Sequence, residues 1–355
     1  MSEITKRIVI QDKDAPKEEE LREAAAILAR GDLVAFPTET VYGLGANALD
    51  EEAAKKIYAA KGRPSDNPLI AHVARIEDVS DLVREIPEAG KKLMDAFWPG
   101  PLTLIFPKKD IVPYGTTGGL NTVAVRMPSH PTARLLIALA GVPIAAPSAN
   151  TSGKPSPTTA DHVMQDMNGK IDMVVDGGEV EIGVESTIVD VSSKIPTLLR
   201  PGAITMEMLE EVLGEVAVDP VILGPVKEGV RPKAPGMKYR HYAPKAEMTL
   251  VEEASVEEMV KKIQELAKEK QREGFRVGIL CTDESLQAYP SDMVVKSIGK
   301  REREETVAHN LFAVLREFDD AGVDCIFSES FPKDHMGQAI MNRLSKAAGY
   351  HIVRG

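Results

Sequence analysis

The stretch STIVDVSSKIPTLLRPG (186–202) contains two apolar runs, STIVDV (186–191) and TLLRPG (197–202), with only the loop SSKIP between them. Runs rich in branched residues and bounded by Ser and Pro read as strands. A join this short carries no crossover helix, so the pair breaks the strand–helix–strand rhythm of a doubly wound sheet. Working outward, similar runs recur at IVI (8–10), LVAFPT (33–38), LIAHV (69–73), LTLIF (102–106), VAVRM (123–127), PIAAPS (143–148) and MVVDG (173–177). Two helical patterns interleave with them. KEEELREAAAILARG (17–31) ends at Gly31, and DEEAAKKIYAAKG (50–62) has Asp50 as N-cap and Gly62 as its stop. The pattern predicts an α/β domain over residues 1–212, a mixed twisted sheet with helices packed on it.

The rhythm then changes twice. Residues 213–245 include VAVDPVILGPVKEGVRPKAPGMKYRHYAPK, with five prolines and few helix formers, and read as a linker. Long ordered linkers often serve as lids. From 246 to 355 strands and helices alternate regularly. Strands are expected at 248–252, 275–282, 291–299 and 323–330, and helices at 255–274, 301–322 and 337–349. This predicts a smaller Rossmann-like unit with a largely parallel sheet.

Composition narrows the function. The 355 residues are 43% hydrophobic and 27% charged, which excludes a disordered or fibrous chain. Lys and Arg number 43 against 54 Asp and Glu, a net charge of −11, so a broad phosphate-tracking surface for nucleic acid is disfavoured. Two cysteines, Cys281 and Cys325, allow neither a disulfide framework nor a thiolate zinc site. No run approaches the roughly 18 apolar residues of a membrane span. The N-terminus is charged throughout, unlike a signal peptide, and a soluble cytoplasmic protein is expected.

Familiar nucleotide motifs fail. GLGANA (43–48) matches G-x-G-x-x-A, but it follows PTETVY rather than a strand running straight into the turn. Around SGKPS (152–156), Ser148 stands where a P-loop needs its first glycine, and Pro155 where it needs Ser or Thr. What remains is a set of polar loops at strand ends: PTETVYGLG (37–45), KGRPSDNPLIAHV (61–73), GGLNTVAVRMP (118–128), PSANTSGKPSPTT (147–159), VESTIVD (184–190) and LLRPG (198–202). Each has a bland alternative. Lys61-Gly62-Arg63-Pro64 also fits a plain helix end, the 147–159 loop a helix N-cap, and His72 a core histidine. Arg126, in an apolar strand, either pairs with a protein carboxylate or waits for a ligand anion, and Arg200 poses the same question.

Taken together, Lys61, Arg63, His72, Arg126 and Arg200 bring cations to strand ends, among the hydroxyls of Thr40, Thr122, Ser148, Ser156 and Ser186 and the amides of Asn67 and Asn150. That mixture suits a polyphosphate plus a carboxylate. Nothing in these loops points to a covalent intermediate, so catalysis would rest on positioning and charge stabilisation.

These segments resemble the YrdC-like family of L-threonylcarbamoyladenylate synthases: PTETVYGLG, KGRPSDNPL, the PSAN loop followed by SG, VESTIVD and LLRPG. APGMKYRHYAP and the C-terminal unit resemble the longer, two-domain members. The resemblance implies a mixed sheet with a concave, positively charged cavity, and a linker that closes over it. It implies synthesis of threonylcarbamoyl-AMP and pyrophosphate from L-threonine, bicarbonate or CO2, and ATP. Mg²⁺ would come with the ATP, with no organic cofactor. The product would pass to a complex that modifies tRNA beside the anticodon, with tRNA binding here weak or indirect. Lys61, Arg63, Ser148 and Asn150 would form the catalytic set. Asn67, Thr122, Ser156, Arg200 and Tyr242 would join Arg63, Ser148 and Asn150 on ATP, and Thr40, His72, Arg126, Ala146 and Ser186 would bind L-threonine. The competing readings are a double-stranded RNA-binding module without turnover, which the acidic total disfavours, and a carbamoyltransferase-like subunit, for which zinc-finger cysteines are missing.

Overall fold

The computed structural model describes residues 4–222, 224, 232–235 and 241–355. It divides into two compact units, Met1–Ser152 with Ser156–Lys238, and Gly153–Pro155 with Tyr239–Gly355. One boundary, Lys238/Tyr239, falls inside the stretch expected as a linker, whereas the grouping of Gly153–Pro155 with the second unit was not expected.

In the first unit the apolar runs form β1 (Lys6–Val9), β2 (Val34–Pro37), β3 (Tyr42–Asn47), β4 (Ile70–His72), β5 (Leu102–Pro107) and β6 (Thr122–Arg126). They continue as β7 (Ile144–Ala145), β8 (Met173–Asp176), β9 (Thr187–Asp190), β10 (Thr197–Arg200) and β11 (Ala217–Val218). Among the described residues these make one sheet in the order β1-β8-β2-β3-β7-β4-β6-β5-β9-β10-β11. It is mixed, as expected. β9 and β10 pair antiparallel across the SSKIP loop, while β4 with β6 and β5 with β9 pair parallel. β3 was not expected. Its glycines suggest a loop, yet Gly43 and Gly45 lie in a strand antiparallel to β2. A Cβ on Gly45 would stand 2.7 Å from the Phe36 ring and 2.9 Å from Ile144, so the packing of β2 and β7 demands a residue without one.

Strand alternation sends successive residues to opposite faces. On one face Leu33, Ala35, Leu44, Ala71, Leu104, Val125 and Val189 join a core with Ala53, Ile57, Leu93, Val163 and Leu209 of the covering helices. On the other face Val34, Phe36 and Val175 pack under the helices Glu18–Ala29 and Pro131–Ala140, through Leu21, Leu28, Leu136 and Ile137. Over β4, β6, β5, β9 and β10 that second face carries a separate small apolar group, Ile70, Ala124, Ile105, Ile188 and Leu199, with Ala234 of the linker buried on it. The polar residues of the loops gather beside that group.

The second unit is a five-stranded parallel sheet. Its strands are β12 (Glu247–Glu252), β13 (Val277–Cys281), β14 (Val294–Ser297), β15 (Cys325–Glu329) and β16 (Ile352–Arg354), in the order β14-β13-β15-β12-β16. β16 is an addition to the expected set. The helices Val256–Arg272, Glu304–Ala321 and His335–Ala347 match the expected ones. No helix among the described residues is long and apolar enough to cross a membrane.

Candidate active site

Four backbone segments are knitted together at one end of the first sheet. The PSAN loop is pinned to β3: Leu44 N–H donates to Pro147 O at 2.7 Å, Ala149 N–H to Tyr42 O at 2.8 Å, and Gly43 bridges Ser148. The helix Glu51–Lys61, capped by Asp50, ends at Gly62 in the left-handed conformation, as its sequence suggests. Lys61, its last residue, is 2% exposed, and its Nζ donates to Asn150 O at 2.6 Å and to Ser148 O. Ser152 N–H returns a bond to Lys61 O at 2.9 Å. Lys61 and the S-x-N pair, 87 and 89 residues apart, therefore meet directly. Arg63 Nη2 donates to the carbonyls of Asn67 and Pro68 at 3.1 and 3.0 Å, bracing the loop that follows the helix. Against that loop lies Gly118, at φ +60, where a Cβ would approach Asp66 O to 3.0 Å.

Asn67 stands out in this group. It is 1% exposed, and neither its Oδ1 nor its Nδ2 has a hydrogen-bond partner among the described residues. A buried amide left without partners costs on the order of 1–3 kcal/mol per group, so such a residue asks for a functional explanation.

A second group forms a row across the sheet. Register places His72 of β4 opposite Arg126 of β6, and Arg126 opposite Thr103 of β5. Thr103 Oγ1 and Ser186 Oγ are 2.8 Å apart. Arg200 Nη2 donates to Ser186 Oγ at 3.2 Å, its Nε to Ser186 O at 3.0 Å, and its Nη1 to Pro235 O of the linker at 3.4 Å. The question posed by Arg126 is answered by a carboxylate. Its Nη2 donates to Glu39 Oε1 at 2.6 Å and its Nη1 to Thr40 Oγ1 at 2.9 Å, with both ionic side chains 5% exposed. Burial opposes ionisation of Glu39, but the adjacent guanidinium outweighs it and holds the carboxyl below its ordinary range. His72 responds the other way. Burial, and then the Arg126 cation, push its pKa down to about 3. The ring is therefore neutral. Its Nδ1 lies 3.0 Å from Ile70 O, an acceptor, which assigns the proton to Nδ1 and leaves Nε2 as an acceptor.

The other expected residues are found as follows. Thr122 opens β6 on the same face as Arg126, by strand alternation. Ala146 N–H bonds Ile70 O at 3.0 Å, beside His72. Ser156 is 1% exposed and donates to Glu185 Oε1 at 2.5 Å. Tyr242 belongs to the second unit, where its ring lies 5.1 Å from that of Phe312; Tyr239, expected in the lid, lies outside the described residues. Three residues escaped the sequence reading: Glu39, Thr103 and Glu185. Only Glu39 carried a signal, since a buried arginine needs a counter-charge and PTETVY supplies one between two threonines.

Two family models cover the chain. One, described as "Telomere recombination", matches residues 26–202, and one described as the C-terminal domain of threonylcarbamoyl-AMP synthase matches residues 204–349. Threonylcarbamoyl-AMP synthase of Bacillus subtilis is 51% identical over 353 residues, 99% of either chain. The chain belongs to the threonylcarbamoyl-AMP synthase family. The Pyrococcus abyssi synthase is 50% identical over 347 residues, 98% of this chain and 99% of that one. A crystal structure of P. abyssi Sua5 complexed with L-threonine aligns with a TM-score of 0.93 at 50% identity, over 99% of this chain and 100% of that one. Both units therefore carry the fold of the two-domain synthases, as the sequence motifs led us to expect.

Proposed function

We propose that the protein makes L-threonylcarbamoyl-AMP and pyrophosphate from L-threonine, bicarbonate or CO2, and ATP, in the cytoplasm, as the first step in forming threonylcarbamoyladenosine beside the tRNA anticodon. The observation that carries this reading is the row His72–Arg126–Thr103–Ser186. It sets cationic and hydroxyl donors and one neutral imidazole acceptor side by side in a buried patch. The threonine complex of the P. abyssi relative supports it.

The roles follow from the charges. The threonine carboxylate takes donors from Arg126 and Ser186, while Thr40 and His72 Nε2 face its amino and hydroxyl groups. With a pKa near 3, the neutral His72 ring keeps its one proton on Nδ1, accepts a hydrogen bond at Nε2 and takes up no second proton near neutral pH, so it orients the substrate and is a poor general base. The ammonium group first loses a proton to solvent; the free amine then forms the N–C bond to CO2 as one C=O π bond opens onto oxygen, and a second proton leaves nitrogen to give the N-carboxylate. A carbamate oxygen then attacks the α-phosphorus, and pyrophosphate leaves. Both reactants are anions, and Lys61 and Arg63, with Ser148, Asn150 and the amide of Asn67, receive the phosphates. Charge-assisted hydrogen bonds of this kind contribute about 1.5–3 kcal/mol each. Mg²⁺ enters as part of the substrate, MgATP. The linker serves as a lid protecting the labile carbamate and mixed anhydride from water. The product then passes to a tRNA-modifying complex.

A pyrophosphate-release assay with each substrate omitted in turn tests the proposal. Release is expected only when ATP, L-threonine and bicarbonate are all present; release without threonine or bicarbonate, or none with all three, overturns it.

A further inference from the structure

Thr103 is fully buried in β5, and among the described residues its hydroxyl meets one polar side chain, Ser186 Oγ, at 2.8 Å. A threonine hydroxyl has one proton to give and two lone pairs to offer. Either direction of this bond leaves one buried hydroxyl proton without an acceptor among the described residues: that of Thr103 if Ser186 donates, that of Ser186 if Thr103 donates. Ser186 also accepts from Arg200 Nη2 at 3.2 Å, and it sits on the sheet face shared with Arg126 and His72.

We propose that Thr103 is a positioning residue that donates to Ser186 and so leaves the Ser186 proton for a substrate oxygen of the amino-acid site. In that arrangement donation from Thr103 and Arg200 polarises the Ser186 hydroxyl and strengthens the bond it gives. The row thus selects an acceptor, and the anionic carboxylate of the amino acid is the strongest one available to it. This inference rests on reading the row as the threonine site.

The test is calorimetric titration of the full chain with L-threonine, beside steady-state kinetics with threonine and ATP varied separately. Thr103→Val keeps the shape and removes the hydroxyl, and Thr103→Ala serves if the valine variant fails to fold. Loss of one such hydrogen bond is expected to weaken threonine binding about 5- to 20-fold. The KM for ATP should stay within about 2-fold, and kcat should fall less than threonine affinity. Thr103→Ser should restore wild-type behaviour. In a Ser186→Ala background, Thr103→Val should cost nothing further. An undiminished Thr103→Val effect without the Ser186 hydroxyl, equal shifts for ATP and threonine, or failure of Thr103→Ser to rescue would each overturn the proposal. If the wild-type chain does not bind threonine, the functional reading fails instead; if it binds and Thr103→Val binds equally well, only the role of Thr103 fails.

Discussion

Acidification should weaken the first unit through His72, and the size of the effect follows from its surroundings. The imidazole is held neutral, with a folded pKa of about 3 against 6.5 in an unfolded chain. The unfolded chain therefore binds the extra proton first. The stabilising effect is complete above pH 6.5 and is lost as pH falls from there toward 3. Between pH 7 and pH 5 this one group should cost about 2 kcal/mol, at roughly 1.4 kcal/mol per unit of pH below the unfolded value. His72→Asn keeps a donor near the Nδ1 position, facing Ile70 O, and does not titrate. The protein has a single tryptophan, Trp98, buried in the first unit with its Nε1 bonded to Leu102 O, so its fluorescence reports unfolding of that unit. Urea denaturation followed at Trp98, at pH 7 and pH 5, should show wild type losing about 2 kcal/mol more than the variant. Other groups, His130 and Glu39 among them, titrate in both proteins and largely cancel. Parallel losses in the two proteins would mean that His72 titrates normally, and the assignment of a neutral imidazole acceptor beside Arg126 would be wrong.

The site makes further commitments. Arg63→Ala should lower pyrophosphate release by about 100-fold or more, comparable to loss of a charged transition-state donor, with circular dichroism unchanged; a folded variant with normal turnover would remove Arg63 from the phosphate site. Arg126→Ala strands Glu39 in the interior and should destabilise the first unit by about 3–5 kcal/mol, whereas Glu39→Gln with Arg126→Gln should destabilise it less than the single change, and urea midpoints at Trp98 decide between the two outcomes. Asn67→Leu should raise the KM for ATP while leaving the urea midpoint unchanged or slightly higher, because the amide has no bond in the fold to lose; a marked drop in the midpoint would make Asn67 structural. Gly118→Ala should destabilise by about 1–2 kcal/mol and raise the KM for ATP, since a left-handed backbone and a 3.0 Å approach to Asp66 O both resist a Cβ.

Legibility of the chain followed the range of the forces involved. The antiparallel β9–β10 pair was visible because five loop residues permit nothing else, and the helix Glu51–Lys61 because Asp50 and Gly62 mark its ends with side-chain and backbone chemistry of their own. The helix Pro131–Ala140 was not singled out. His130, an unusual cap, accepts from Thr132 N–H at its start, and ARLLIALA is too uniformly apolar to show one buried face. β3 was hidden by its glycines, whose reason lies in Phe36 and Ile144, residues on neighbouring strands. The site divides in the same way. Residue types and loop positions could be read, but not who bonds to whom. Lys61 meeting Ser148 and Asn150, Ser156 meeting Glu185, and Thr103 meeting Ser186 are all contacts across more than 25 residues that only the sheet brings about.

Arg126 is matched by Glu39 at 2.6 Å in a buried pair, and that pairing bears on the kind of ligand the row would receive. A bare anion gains little from a neutral pair, since the attraction of the guanidinium is offset by the carboxylate beside it. On the proposed roles a zwitterion would gain from both ends, its carboxylate against Arg126 and Ser186 and its ammonium group toward His72 Nε2 and the Glu39 side. On this argument the Glu39–Arg126 pair is what separates a free amino acid from a simple carboxylate of the same size. The imidazole must also stay neutral for the arrangement to work, because a second cation there would repel the ammonium group. The Arg126 guanidinium is one of the forces that keep it so.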